Sequence, residues 1–415
     1  MRKDNLLFGI YVFVILSDWI GTYIPMPLGI RHLVLLLIPI ILMSSTKVEK
    51  RTLYYFSFLS LLAFISFTND NVELFNFSVG YFFTFFFFFI QIIFFNIRIP
   101  DYQLIRLLKL IVYSNLLFAL PTLIGATTDL DIRNHPGVFR EVGAFATTMM
   151  CSQIICLLLY RLNNNPRYFR LACLFSTICL LTILKKSMFL SLFIWVIYAA
   201  FFMNWKKWFF NYKVWALATV IIAIMAAPLK TNIDKNLAYL SAVGADAHVR
   251  IGMYVASAKI SNEYAPFGSG LGSFGSFASI INNPITDGYF DYRFNDLYYR
   301  YEIDDLAGNS EERSREGGNT MLDTYWPHIL GELGIFGLLI IFWFWTGKVL
   351  YFFRRKDCLG YVTGGFAFYI CAVYVSLMGE GLALIQPELP FFVFFHAGLT
   401  GIFLRKIQEE KFLIH

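Results

Sequence analysis

The stretch LFNFSVGYFFTFFFFFIQIIFF, residues 74–95, carries no charged side chain. As a helix rising about 1.5 Å per residue it would extend roughly 33 Å, enough to cross the hydrocarbon core of a bilayer. It is one of many such runs. The chain is 58% hydrophobic and 15% charged, with 46 Phe in 415 residues, more apolar surface than a soluble interior of this size can hide. The sequence therefore predicts an all-α polytopic membrane protein, with residues 1–415 forming a single membrane domain. Helices are expected near 6–24, 28–43, 52–68, 74–95, 104–124, 141–160, 168–184, 187–203, 213–229, 324–350, 360–379 and 389–405, about twelve in all. The N-terminus imitates a signal peptide, but bulky Trp19 and Ile20 follow the apolar core and no small-residue cleavage site is present, so it reads as the first span. Residues 230–323 form the only long polar interval, a large loop between the ninth and tenth predicted helices.

Charge orients this arrangement. If the N-terminus is cytoplasmic, the segments on that side hold most of the 34 Lys and Arg, from Arg2 and Lys3 through Arg354, Arg355 and Lys356 to Lys411. Most of the 28 Asp and Glu fall on the other side. The positive-inside rule then predicts both termini in the cytoplasm and the large loop outside. Among the short outer segments, only Arg31, Arg133, Arg140, Lys185 and Lys186 are basic. Lys185 and Lys186 sit between two apolar runs in LLTILKKSMFLSLF. They snorkel to the headgroup layer, mark a miscounted pair of helices, or form an outward-facing site for an anion, of which a lipid-linked pyrophosphate is one.

Other outer segments carry candidate chemistry. In GATTDLDIRNHPGVFREVGAFAT, residues 125–147, Arg133, His135, Arg140 and Glu141 crowd a short loop that turns at Pro136–Gly137. They are either a solvated loop with local ion pairs or a phosphate-binding group built on arginine's planar fork. ADAHVRIGMYVASAKI, residues 245–260, predicts an amphipathic helix with Arg250 beside its apolar face. GLGSFG, residues 270–275, matches G-x-G-x-x-G but lacks the strand-turn-helix context of a dinucleotide site, so a close-packing or ligand-approaching loop is expected. The stretch YFDYRFNDLYYRYEIDD, with Tyr289, Tyr292 and Tyr298, and Tyr325 further on, offers aromatic faces for sugar rings, although tyrosines also favour membrane interfaces. In GGNTMLDTYWPHILGELGIFG, residues 317–337, Asp323 falls at or near a helix N-cap ahead of Pro327. It is either a cap or a general base, with His328 a second candidate and Glu332 a costly carboxylate deeper in the span. No metal-ligand spacing, no cofactor motif and no cysteine framework stands out, and the six Cys all lie in or beside predicted spans.

With these motifs in place, the chain resembles the Wzy-type O-antigen polymerases and the related O-antigen ligases. The resemblance rests on the span pattern with one large late loop, on RNHPGVFREVGAFA opening a span, and on the basic pair followed by Ser187. It rests also on the run from Arg250 through PFGSGLGSF to LDTYWPHILGELGIFG, and it covers most of residues 125–340. Ligases usually show His-Asn nine residues before the Glu of E-L-G; here that place is Asp323–Thr324, which favours a polymerase. The resemblance implies a GT-C-like fold in a bacterial inner membrane, with the large loop periplasmic. It implies metal-independent, inverting transfer between undecaprenyl-pyrophosphate-linked oligosaccharides, no cofactor, and a chain-length regulator and membrane lipids as partners. Lys185, Lys186, Arg140, Arg250 and Arg133 would hold the pyrophosphate. Asp323, Glu141 or His328 would be the base, and Tyr289, Tyr292, Tyr298 and Tyr325 would meet the sugar. The alternatives are a ligase that transfers polymer to a lipid A-core acceptor and a flippase for the same lipid-linked sugar. No nucleic-acid partner is expected.

Overall fold

A computed structural model describes residues 2–21, 30–68, 72, 74–129, 137–139, 142–182, 185–203, 249–273, 325–380 and 391–413. Among them all long regular elements are α-helices: α1 (Lys3–Gly21), α2 (Ile30–Leu42), α3 (Lys50–Phe67), α4 (Leu74–Phe95), α5 (Asp101–Asp129) and α6 (Val142–Asn163). They continue with α7 (Pro166–Leu181), α8 (Lys185–Phe202), α9 (Val249–Glu263), α10 (Tyr325–Arg354), α11 (Tyr361–Glu380) and α12 (Phe391–Leu413). Five of them, α4, α5, α6, α10 and α11, are long and apolar enough to cross a membrane. The expected span near 28–43 appears as α2, whose 13 residues reach only about 20 Å at 1.5 Å per residue. The expected span 213–229 lies outside the described residues. Helix α9 starts within the predicted 245–260 segment and runs past it to Glu263.

The helix boundaries follow local chemistry. Asn165 caps α7 by accepting from the Arg167 amide at 3.0 Å, and Pro166 occupies the first turn, where its missing N–H is no loss. Glu49 caps α3 in the same way, accepting from the Thr52 amide at 3.2 Å. Successive helices run between two ends of the bundle. One end gathers Lys3, which donates to the Leu42 carbonyl at 3.2 Å, and Arg405, which donates to Ser45 Oγ at 2.8 Å. Arg106 also lies there, beside buried Asp4 at 3.4 Å, as does Lys356, which donates to the Ala200 carbonyl. This is the basic end. The starts of α4, α6, α8, α10 and α12 lie at the opposite end.

Aromatic packing forms the core. Phe86 of α4 meets Phe394 of α12 edge to face at 4.9 Å, and Phe94 meets Phe395 at 5.7 Å. Gly401 brings α12 so near α4 that a side chain there would come within 2.9 Å of the Phe95 amide nitrogen, the close approach that small residues permit between membrane helices. Helix α6 is the most buried of the five long apolar helices and packs against α5, α7, α8 and α11. Polar side chains tie the helices together. Tyr11 donates to Asn115, which donates to Ser152 at 2.8 Å, and Gln153 exchanges two hydrogen bonds with Ser191. With no water in the hydrocarbon to compete, such groups have to be satisfied within the protein.

Candidate functional site

At the end opposite the basic one, α10 is broken. Gly334 has φ 66° and ψ −171°, outside helical space, and divides the element into a short first segment and a long second one. The break removes the helical donors for the carbonyls near the end of the first segment. The glycine-rich loop replaces them: the Ser269 amide donates to the Gly331 carbonyl and the Gly270 amide to the Glu332 carbonyl, each at 3.0 Å. Ser269 Oγ adds a second bond to Gly331 at 3.2 Å and pairs with Ser273 Oγ at 2.6 Å. This is how a membrane helix tolerates a break, with neighbouring groups taking over the freed backbone.

Glycine is required on both sides of this junction. Gly268 has φ 78°, and a side chain there would sit 2.6 Å from the Glu332 carbonyl oxygen. A side chain at Gly334 would come within 2.7 Å of the Gly268 nitrogen, at a φ/ψ combination that is essentially glycine's own. The loop then passes onward to α4, where a side chain on Gly80 would lie 2.9 Å from the Gly272 nitrogen. Leu271 between them is fully buried. The loop expected to pack closely or approach a ligand is thus a wedge between α4 and the broken helix.

The first segment of α10 carries a buried acid–base pair. His328 and Glu332 stand one turn apart, each 0% exposed, with Nε2 and Oε2 3.5 Å apart. At that distance the two form a buried close pair of ionisable groups rather than a hydrogen bond, which is costly within an apolar helix. Pro327 lies in the first turn, as expected, and Tyr325 is buried at 4% exposure. Trp326 anchors the segment by donating to the Met378 carbonyl of α11 at 3.1 Å.

The predicted basic pair lies at the same end. Lys185 and Lys186 begin α8. Leu190, one turn on, packs against Gly379 of α11, next to Met378. The last turns of α11 therefore separate the start of α8 from the start of α10. Arg250 lies in α9, which packs against α10. The turn at 137–139 folds back on α5, with Gly137 against Thr122. Asp323, Glu141, Arg140, Arg133, Tyr289, Tyr292 and Tyr298 lie outside the described residues. The candidates the structure brings to one end are thus His328, Tyr325, Lys185 and Lys186, while the contact of α9 with α10 does not fix the position of Arg250 along it. The pairing of His328 with Glu332 was not anticipated, although their i,i+4 spacing on one helix face was its signal.

A scan against protein-family models finds no match, and a search of curated proteins finds no relative.

Proposed function

We propose that this chain joins lipid-linked oligosaccharide repeat units into a surface polysaccharide. It would work on the outer face of a bacterial inner membrane, through about twelve spans of GT-C-like character with both termini cytoplasmic. The donor is a saccharide on undecaprenyl pyrophosphate, and the acceptor is a hydroxyl of a second lipid-linked unit. The acceptor oxygen attacks the anomeric carbon and its proton passes to a base. The bond to the pyrophosphate oxygen breaks on the opposite face, with inversion. Negative charge then grows on the leaving pyrophosphate, where cations stabilise it most. Lys185, Lys186, Arg140, Arg250 and Arg133 are assigned that role, and Tyr289, Tyr292, Tyr298 and Tyr325 the sugar contacts.

The observation that carries the reading is the buried His328–Glu332 pair on a broken helix, at the same end as the start of α8 with its two lysines. Membrane proteins keep ionisable side chains and irregular backbone at depth chiefly where these serve a site. His328, 3.5 Å from Glu332, is one candidate base, and Asp323 and Glu141 are the others. A gel of surface and lipid-linked polysaccharide from a deletion strain tests the reading. Collapse of long polymer to single repeat units is the expected result. Polymer accumulating on its carrier lipid would instead mean a ligase, and an unchanged ladder would refute both.

A further inference from the structure

Some cations at the basic end of the bundle are paired with carboxylates. Lys348 pairs with Glu49 at 2.8 Å, Arg405 with Glu409 at 2.8 Å, Lys406 with Asp101, and Arg106 with Asp4. Among the described residues Lys47, Lys109, Arg161, Arg167 and Arg170 have no carboxylate within ion-pair distance, and neither do the four beside α3 and α10: Lys50, Arg51, Arg354 and Arg355. Three of the four line one seam between α3 and α10. A cleft of about 320 Å³ there is walled by Arg51, Arg354, Arg355, Tyr351 and Trp343. It adjoins a second cleft of about 630 Å³ that shares Arg51 and Tyr351 and adds Lys50 and the Lys348–Glu49 pair.

The seam has the structure of a built site. Gly347 leaves the space that the Arg51 guanidinium occupies, since a side chain there would lie 2.8 Å from its Nη2. Tyr351 holds Arg355 by accepting from Nη1 at 2.8 Å, with the guanidinium 4.6 Å from the ring centroid, and its ring also faces Arg51 at 5.9 Å. Among the described residues Glu49 is the single carboxylate on either wall, and Lys348 already neutralises it. Next to the cations lies an apolar strip that faces outward: Trp343 is 55% exposed, Leu350 43% and Phe58 52%. A soluble phosphate would use the cations but not the strip. A phospholipid would use both, with its phosphate among the guanidiniums and its acyl chains along α3 and α10.

We propose that the α3–α10 seam is a binding site for an anionic phospholipid, separate from the transfer site at the other end of the bundle. Neutralising three arginines should weaken such a lipid on the order of 100-fold, at roughly fivefold for each basic side chain near an anionic headgroup.

Native mass spectrometry of the purified full chain with phosphatidylglycerol or phosphatidylethanolamine tests this. The expected result is retention of phosphatidylglycerol by the wild type, and loss of it by the Arg51→Gln, Arg354→Gln, Arg355→Gln triple variant. A control neutralised at exposed Arg167 and Arg170 should retain the lipid as the wild type does. Gly347→Leu, which fills the cleft while keeping every charge, should also lose it. Thermal unfolding in phosphatidylethanolamine alone shows that each variant is folded. Equal phosphatidylglycerol retention by wild type and folded triple variant would overturn the proposal. So would displacement of the lipid by inorganic phosphate at a concentration where sodium chloride of the same ionic strength leaves it bound.

Discussion

Replacing Gly334 with alanine tests the central structural feature, the loop-capped break in α10. Two costs add. At φ 66° and ψ −171° a non-glycine residue is strained by about 1–3 kcal/mol. The new methyl also meets the loop backbone at Gly268, so the loop has to withdraw. Withdrawal sacrifices the Ser269–Gly331 and Gly270–Glu332 hydrogen bonds, each 3.0 Å long and contributing about 1 kcal/mol. Gly334→Ala should therefore lower stability by about 3–5 kcal/mol, read by denaturant unfolding in mixed detergent micelles. Gly9→Ala is the matched control. No heavy atom lies within 4 Å of a side chain placed there, and alanine is the better helix former, so the change should be neutral or stabilising by up to about 1 kcal/mol. A Gly334→Ala protein within about 0.5 kcal/mol of wild type would refute the account of the break.

Other outcomes follow from particular groups. Lys348→Met should cost about 1–3 kcal/mol because it leaves half-buried Glu49 with only Thr52 as a partner, and adding Glu49→Gln should recover part of the loss in the same unfolding assay. Burial pushes the Glu49 carboxyl up, but Lys348 and the bonds from Thr52 outweigh it and hold it below its ordinary value of 4.5. Its contribution to stability is thus present above the ordinary carboxylate range and should be lost as pH falls through the lowered value, a dependence absent from Glu49→Gln. Tyr369→Phe removes a 2.8 Å bond to His396 Nδ1 and should cost about 1 kcal/mol. His328→Gln and Glu332→Gln should each cut polymer formation by about 100-fold or more, the lower range for a lost acid–base group, measured as initial transfer rate with the variants confirmed as folded.

What could be read from the sequence is what the membrane dictates. Apolar runs must be helical to satisfy their backbone, so α4, α6, α10 and α11 fall close to where composition places them. Charged side chains are excluded from the hydrocarbon and fall toward helix ends, where Lys3, Arg106 and Arg405 lie here. His328 and Glu332 could be singled out because ionisable groups within an apolar run demand a reason. The break at Gly334 could not be read. Nothing in E-L-G-I-F-G marks which glycine leaves the helix until the loop at 268–270 is seen docked against it, some 60 residues away in sequence. The same holds for Lys348, which lies buried in α10 against Glu49, the residue that caps α3. Such contacts depend on which helices become neighbours, and periodicity carries no information about that.

The most direct test of the proposed activity uses the purified full chain in liposomes with a single lipid-linked repeat unit as both donor and acceptor. The account predicts products that lengthen by whole repeat units and release undecaprenyl pyrophosphate, each new linkage inverted at the anomeric carbon, and the reaction lost in the Lys185→Ala, Lys186→Ala protein. Repeat units that cross the bilayer without joining would contradict it, as would undiminished joining in the folded double variant.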